Sequence, residues 1–191
     1  ALPYDIRIDT QLTQAIVAAT PAVGVRSKGV DYDGFPLDTG TIVASNFLNP
    51  DGRAALAVAA NNLYHDWQTT EQLGRVAAQQ AQALGRRIAV VGVGGLSGSF
   101  FRHGIDIATD HIANPQEDAW NRRMLSLLEQ GDVTAFRAAC PDYAREARVD
   151  MGFKHCAFVM GALDWRVGGA TVHGYGPLYG AGGAVLEFNL T

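Results

Sequence analysis

The chain has 191 residues, 48% of them hydrophobic and 18% charged, with a net charge of −4. That globular balance excludes a disordered chain, and the absence of any basic block excludes a nucleic-acid surface. No apolar run reaches the roughly 18 residues a membrane-spanning helix needs, and Cys140 and Cys156 form no C-x-x-C pair, so a reduced, cytoplasmic protein is expected.

The chain opens on Ala1-Leu2-Pro3 without an initiator methionine, which reads as a processed product or a fragment. Asp9 can cap a helix that runs to about Ala19 and is ended by Thr20-Pro21. Residues 21–40 are loop-rich, with "VDYDGFPLDTG" carrying aspartates, glycines and a proline. "AALAVAANN", 54–62, has the composition of a buried strand. Thr69 and Gln72 have capping-box spacing, and Leu73, Val76, Ala77, Ala81 and Leu84 give the following helix one apolar face until Gly85. "RIAVVGV" is continuously β-branched, as in a strand covered on both faces. Residues 99–113 show no period. Asn114-Pro115 starts a helix with Trp120, Met124, Leu127 and Leu128 as its stripe and Gly131 as its stop. Asp132 starts another, interrupted by Pro141. Met151 to Leu163 is apolar nearly all round and predicts a buried helix, and strands near 169–174 and 183–189 predict a closing hairpin. The pattern implies an α/β fold with a central mixed β-sheet flanked by helices, in a single domain over 1–191.

"RRIAVVGVGGLSGSFFRHG" raises the functional question, because a strand running into glycines begins several kinds of site. Gly92, Gly94 and Gly98 miss the dinucleotide fingerprint by one residue, the helix start is poor, and Asp110 has no strand before it. A nicotinamide-dependent oxidoreductase competes there with a plain tight strand exit. Gly95-Leu96-Ser97-Gly98-Ser99 is one small residue from a nucleophile elbow, with Asp150 or Asp164 and His155 or His173 downstream for a serine hydrolase. A serine bonded to its own turn is the commoner meaning of that pattern.

A third reading comes from a resemblance. "VGVGGLS" followed by "IANPQEDAWNRRMLSLLEQGD" resembles the class III extradiol dioxygenases of the protocatechuate 4,5-dioxygenase, or LigB, type. That family carries G-G-[LM]-S-H at this strand exit and then an N-x-x-x-D helix. "YDIRIDT", "GVDYDGFPLDTGT", "NNLYH", "ARVDMGFKH" and "HGYGPLYGAGGAVLEF" extend the likeness from Tyr4 to the C-terminus. It implies a LigB-type domain corresponding to the C-terminal two thirds of the family's, with part of its sheet missing and an edge exposed.

The family's reaction is ring opening at a non-haem Fe(II) held by two histidines and a carboxylate, with a further histidine as acid/base. The resemblance implies that this chain has lost that chemistry. The S-H-x-P and N-D-H motifs of the iron histidines are absent. The acid/base position is Gly98, D-H-G has become Asp31-Tyr32-Asp33-Gly34, and the carboxylate position falls near Gly152, with Asp150 and Glu146 close by. The expectation is therefore a non-catalytic, alpha-type subunit with no catalytic residue, no metal ligand and no cofactor of its own. Fe(II) would belong to a homologous catalytic partner in a hetero-oligomer acting on an aminophenol- or catechol-type ring. Asn61, Asn62, His65, Gly94, Gly95, Ser97 and Gly98 would line a relic pocket. Phe100-Phe101 and "GYGPLYG" fit either a partner interface or ordinary packing. His65, His103, His111, His155 and His173 show no H-x-x-x-H pair and read as structural or surface residues. The alternative is an active Fe(II) dioxygenase whose iron histidines lie on a missing N-terminal piece.

Overall fold

Five helices of the described residues begin where a short polar side chain accepts from the first unpaired N–H groups. In the computed structural model, which describes residues 4–31, 34–60 and 63–191, Asp9 accepts from the Leu12 N–H and opens α1 (Thr10–Ala19). Asp38 opens α2 (Thr39–Leu48) and Asp66 opens α3 (Trp67–Ala83). Asn114, followed by Pro115, opens α4 (Pro115–Glu129), and Asp132 opens α5 (Val133–Glu146). Short 3-10 turns lie at Thr20–Val23, Ile107–Thr109 and Asp150–Phe153, and the last leads into α6 (Lys154–Ala162).

Several boundaries differ from the sequence reading, each for a local reason. Asp66 accepts from the Thr69 N–H at 2.8 Å, so Thr69 lies inside the first turn of α3 and is not its cap. Pro141 lies inside α5 on its exposed side, where the lost backbone bond falls toward solvent, and the helix continues through it. The helix expected from Met151 starts only at Lys154, because Met151 and Gly152 adopt left-handed conformations. α2 begins inside the stretch read as loop.

The expected hairpin is present and longer than predicted. β1 (Val167–Leu178) and β2 (Ala181–Leu190) pair antiparallel, with Val167 opposite Leu190 and Leu178 opposite Ala181. Tyr179 (φ 57°) and Gly180 (φ 92°) make the turn. The α/β class stands, but among the described residues the only ladder is this two-stranded one. The runs 54–60 and 87–93 are not strands of a sheet; one parallel bridge joins Ile8 to Leu56. A strand becomes a sheet only when a neighbour supplies N–H and C=O groups, and no backbone hydrogen bond joins 87–93 to another described residue.

The chain divides into two compact units. The first runs to Val93 and adds His155–Ala162 of α6. Within it α3 meets α6 at two glycines: a Cβ at Gly74 would lie 2.0 Å from the Phe158 carbonyl oxygen, and one at Gly161 would lie 1.9 Å from that of Glu71. Only side-chain-free positions permit so close a crossing. Arg86 pairs with Asp9 at 2.9 Å, tying the end of the α3 connection to the cap of α1.

The second unit contains 94–154 and 163–191. Phe136, Tyr143 and Phe153 form its aromatic centre, with Tyr143 and Phe153 edge to face at 5.1 Å. α4 buries Met124, Leu125 and Leu128, while Trp120 and Leu127 are half-buried. Cys140 and Cys156 are buried and form no disulfide; burial pushes the Cys140 thiol up to about 12. No helix among the described residues is long and apolar enough to cross a membrane.

Candidate functional site

The glycine loop, residues 94–99, lies in the second unit and is stitched on three sides. On the hairpin side the Leu96 N–H donates to Gly182 O at 2.9 Å, and the Gly182 N–H donates back to Ser97 O at 3.3 Å and Ser97 Oγ at 3.0 Å. After α5, the Gly98 N–H donates to Ala147 O at 3.1 Å and the Asp150 N–H to Leu96 O at 3.3 Å. On the α4 side, the Ser99 N–H and hydroxyl donate to the Glu117 carboxylate at 3.0 and 2.6 Å.

Two buried polar groups of α4 organise this loop. Glu117 is fully buried and takes Arg148 Nε at 3.0 Å and Arg148 Nη2 at 2.8 Å; Arg148 Nη2 also donates to Ser99 Oγ. Burial pushes the Glu117 carboxyl upward, but the Ser99 and Arg148 hydrogen bonds outweigh it and hold the group below its ordinary value. One turn on, Asn121 donates to Ser97 Oγ at 2.9 Å and accepts from the Tyr143 hydroxyl at 2.7 Å. Neither residue was singled out from the sequence. The available signal was polar residues at 117 and 121 on the same 3.6-period stripe as Met124 and Leu128.

This geometry decides between the chemical readings of the loop. Ser97 is 2% exposed, and its oxygen is held by an amide side chain and a backbone N–H. Neither is a base, so the arrangement required of a hydrolase nucleophile is not met. The first helical elements after the loop are the turn at Ile107–Thr109 and α4, so no helix follows the loop directly, as the dinucleotide fingerprint requires. The loop has the glycines and the serine, but no side chain at 98 that moves a proton.

The histidines are placed singly. His65 is half-buried in the first unit, just before the Asp66 cap of α3. His155 is half-buried on α6, and His173 is exposed on β1, 3.0 Å from Glu187. His103 and His111 are exposed and flank the Phe101 ring at 5.8 and 5.0 Å. Asn61 and Asn62, and Tyr32 and Asp33 of the altered D-H-G position, lie outside the described residues. Among the described residues, no group of three or more His, Cys, Asp and Glu side chains could hold a metal ion. A non-haem iron of this type needs two imidazoles and a carboxylate together, which the described residues do not bring together.

Beside the loop, an open concavity of about 250 Å³ is lined by Gly94, Tyr175, Leu178, Val185 and neighbouring hairpin residues. The Tyr175 hydroxyl donates to Asp118; burial and that bond push its pKa up to about 12, so it remains protonated. The hairpin tip is fixed by Asp110, which accepts from the Tyr179 and Gly180 N–H groups at 2.7 and 3.0 Å. The Tyr179 hydroxyl donates to His103 O at 2.7 Å. Phe101 packs against Tyr179, whereas Phe100 is 61% exposed.

Comparison with known proteins agrees with the loop's ancestry. Residues 1–187 match the family described as the catalytic LigB subunit of aromatic ring-opening dioxygenase. The 2-aminophenol 1,6-dioxygenase alpha subunit of a Pseudomonas sp is 49% identical over 190 residues, 99% of this chain and 70% of that one. The beta subunit of 2-aminophenol 1,6-dioxygenase from a Pseudomonas sp is 25% identical over 98% of this chain, and the 3,4-dihydroxyphenylacetate 2,3-dioxygenase of Escherichia coli is 22% identical over 93%. The chain spans 65% of the length of each of these last two. With the glycine-serine loop, the Asn114 helix and the Gly-rich hairpin in the order that resemblance requires, the chain belongs to the LigB family of aromatic ring-opening dioxygenases.

Proposed function

We propose that this chain is the non-catalytic, alpha-type subunit of an extradiol ring-opening dioxygenase. In this reading residues 1–191 act as one LigB-type domain that assembles with a homologous iron-bearing subunit. The observation that carries it is the loop: position 98 has no side chain, and the backbone of the 147–150 turn lies against it. The identity pattern supports the same choice, 49% to an alpha subunit against 25% to a beta subunit. Gly94, Gly95, Ser97 and Gly98 are the remains of a pocket, and the exposed Phe100 that follows them is available to a partner. In this reading the assembled enzyme acts on a ring bearing adjacent hydroxyl or amino groups, the kind named for the relatives. The catalytic subunit supplies Fe(II), and the setting is the cytoplasm.

Iron content tests this. Purified without oxygen and loaded with ferrous iron, the chain alone is expected to retain far less than one iron per chain and to leave 2-aminophenol unopened. Mixed with a beta-type subunit, it should co-elute with it and raise that subunit's activity or thermal stability. Near one tightly held iron on the chain alone would overturn the reading.

A further inference from the structure

Position 98 lacks a side chain for a reason of packing and not of backbone freedom. Gly98 does not adopt a positive φ, yet a Cβ there would lie 2.2 Å from the Arg148 carbonyl oxygen. Its N–H donates to Ala147 O. The backbone of 147–148 therefore rests on the bare face of the loop.

The turn that follows is held in conformations L-residues rarely adopt. Arg148, Met151 and Phe153 have φ of 49°, 48° and 64°. Such conformations persist only where surrounding contacts over-determine them. Here the contacts are the Arg148 guanidinium on buried Glu117 and Ser99, and the Asp150 N–H on Leu96 O. The carboxylate end of that ion pair is 1% exposed and the guanidinium 65%, so the arginine reaches inward to a fixed anion.

The geometry points to a latch: the turn 147–153 is seated on Gly98 and locked by the Glu117–Arg148 pair, so the Arg148 carbonyl fills the space a side chain at 98 would need. The latch itself is independent of the subunit reading; only its consequence rests on that reading. The consequence is that a proton-transferring group cannot return to position 98 by one substitution.

The test uses thermal melting and hydrogen exchange on the full chain. Gly98→Ala is expected to lower the melting temperature by roughly 5 °C, and Gly98→His by more. Arg148→Gly alone should lower it through the lost pair. In the Gly98→His background the same change should raise it, because the turn can then move off the imidazole; this reversal of sign is what a seat predicts and two independent defects do not. If Gly98→His does not fold, Glu117→Gln supplies the second readout. It should speed exchange of the Gly98 and Asp150 amides at least about tenfold while leaving amides of α1 and α3 unchanged. Gly98→Ala melting within about 1 °C of the parent, or equal exchange in parent and Glu117→Gln chains, would overturn the latch. Neither result bears on the subunit reading, which iron content and co-elution test separately.

Discussion

Two adjacent stretches have opposite fates. In residues 96–99 the Leu96, Gly98 and Ser99 N–H groups are hydrogen-bonded and Leu96 and Ser97 are buried. The run before them, 87–93, is the more hydrophobic, yet Ile88, Val91 and Val93 are 45%, 49% and 46% exposed, with no backbone bond to another described residue. Hydrophobic composition states that a segment is suited to burial; it does not name what covers it. The glycines, by contrast, specify their neighbours, because close approach is possible only where no Cβ stands.

The largest effect that would sharpen this contrast is expected at Asn121. It joins Ser97 to Tyr143 inside the second unit and is fully buried. Asn121→Leu removes both bonds from a fully buried site, at a cost of about 3 kcal/mol. For a chain of this size that corresponds to a fall of roughly 6–12 °C in melting temperature. A fall under about 2 °C would show that the stitching contributes little to stability.

Glu117 comes next, with a pH signature. Its carboxyl is held below the ordinary value by Ser99 and Arg148, against the opposing effect of burial. A carboxyl lowered on folding stabilises fully above its unfolded value and loses that contribution as pH falls through the folded one. Melting temperature should therefore decline as the pH drops below about 4. Glu117→Gln, costing about 2 kcal/mol near neutrality, should make that acid decline shallower. Parallel curves for parent and variant would place the acid sensitivity in other carboxylates.

Much of this was legible in local chemistry. Asp9, Asn114-Pro115, Asp132 and Gly131 act as helix signals because their effect is complete within one turn of backbone. The hairpin was legible from its glycines and alternation. The turn at 148–153 was not, because nothing in "RVDMGF" prefers left-handed arginine, methionine or phenylalanine. The hydrogen bonds that hold Arg148 and Asp150 of this turn come from partners 31 and more residues away in the chain. For the same reason Gly98 could be recognised as missing a side chain, while the carbonyl lying against it could not be foreseen.

The smallest effect is expected in the exposed run, and it is the one that most directly contrasts the two stretches. Val91→Thr keeps the β-branch and changes a side chain that is already half in water. In the isolated chain it should alter stability by less than about 0.5 kcal/mol, as surface substitutions do. The same change should reduce concentration-dependent association, because an unpaired apolar extended run is a template for another strand. Sedimentation at several concentrations separates the two effects. A large loss of stability without any change in association would mean that the run is already packed within this chain, and the contrast with the glycine loop would fail.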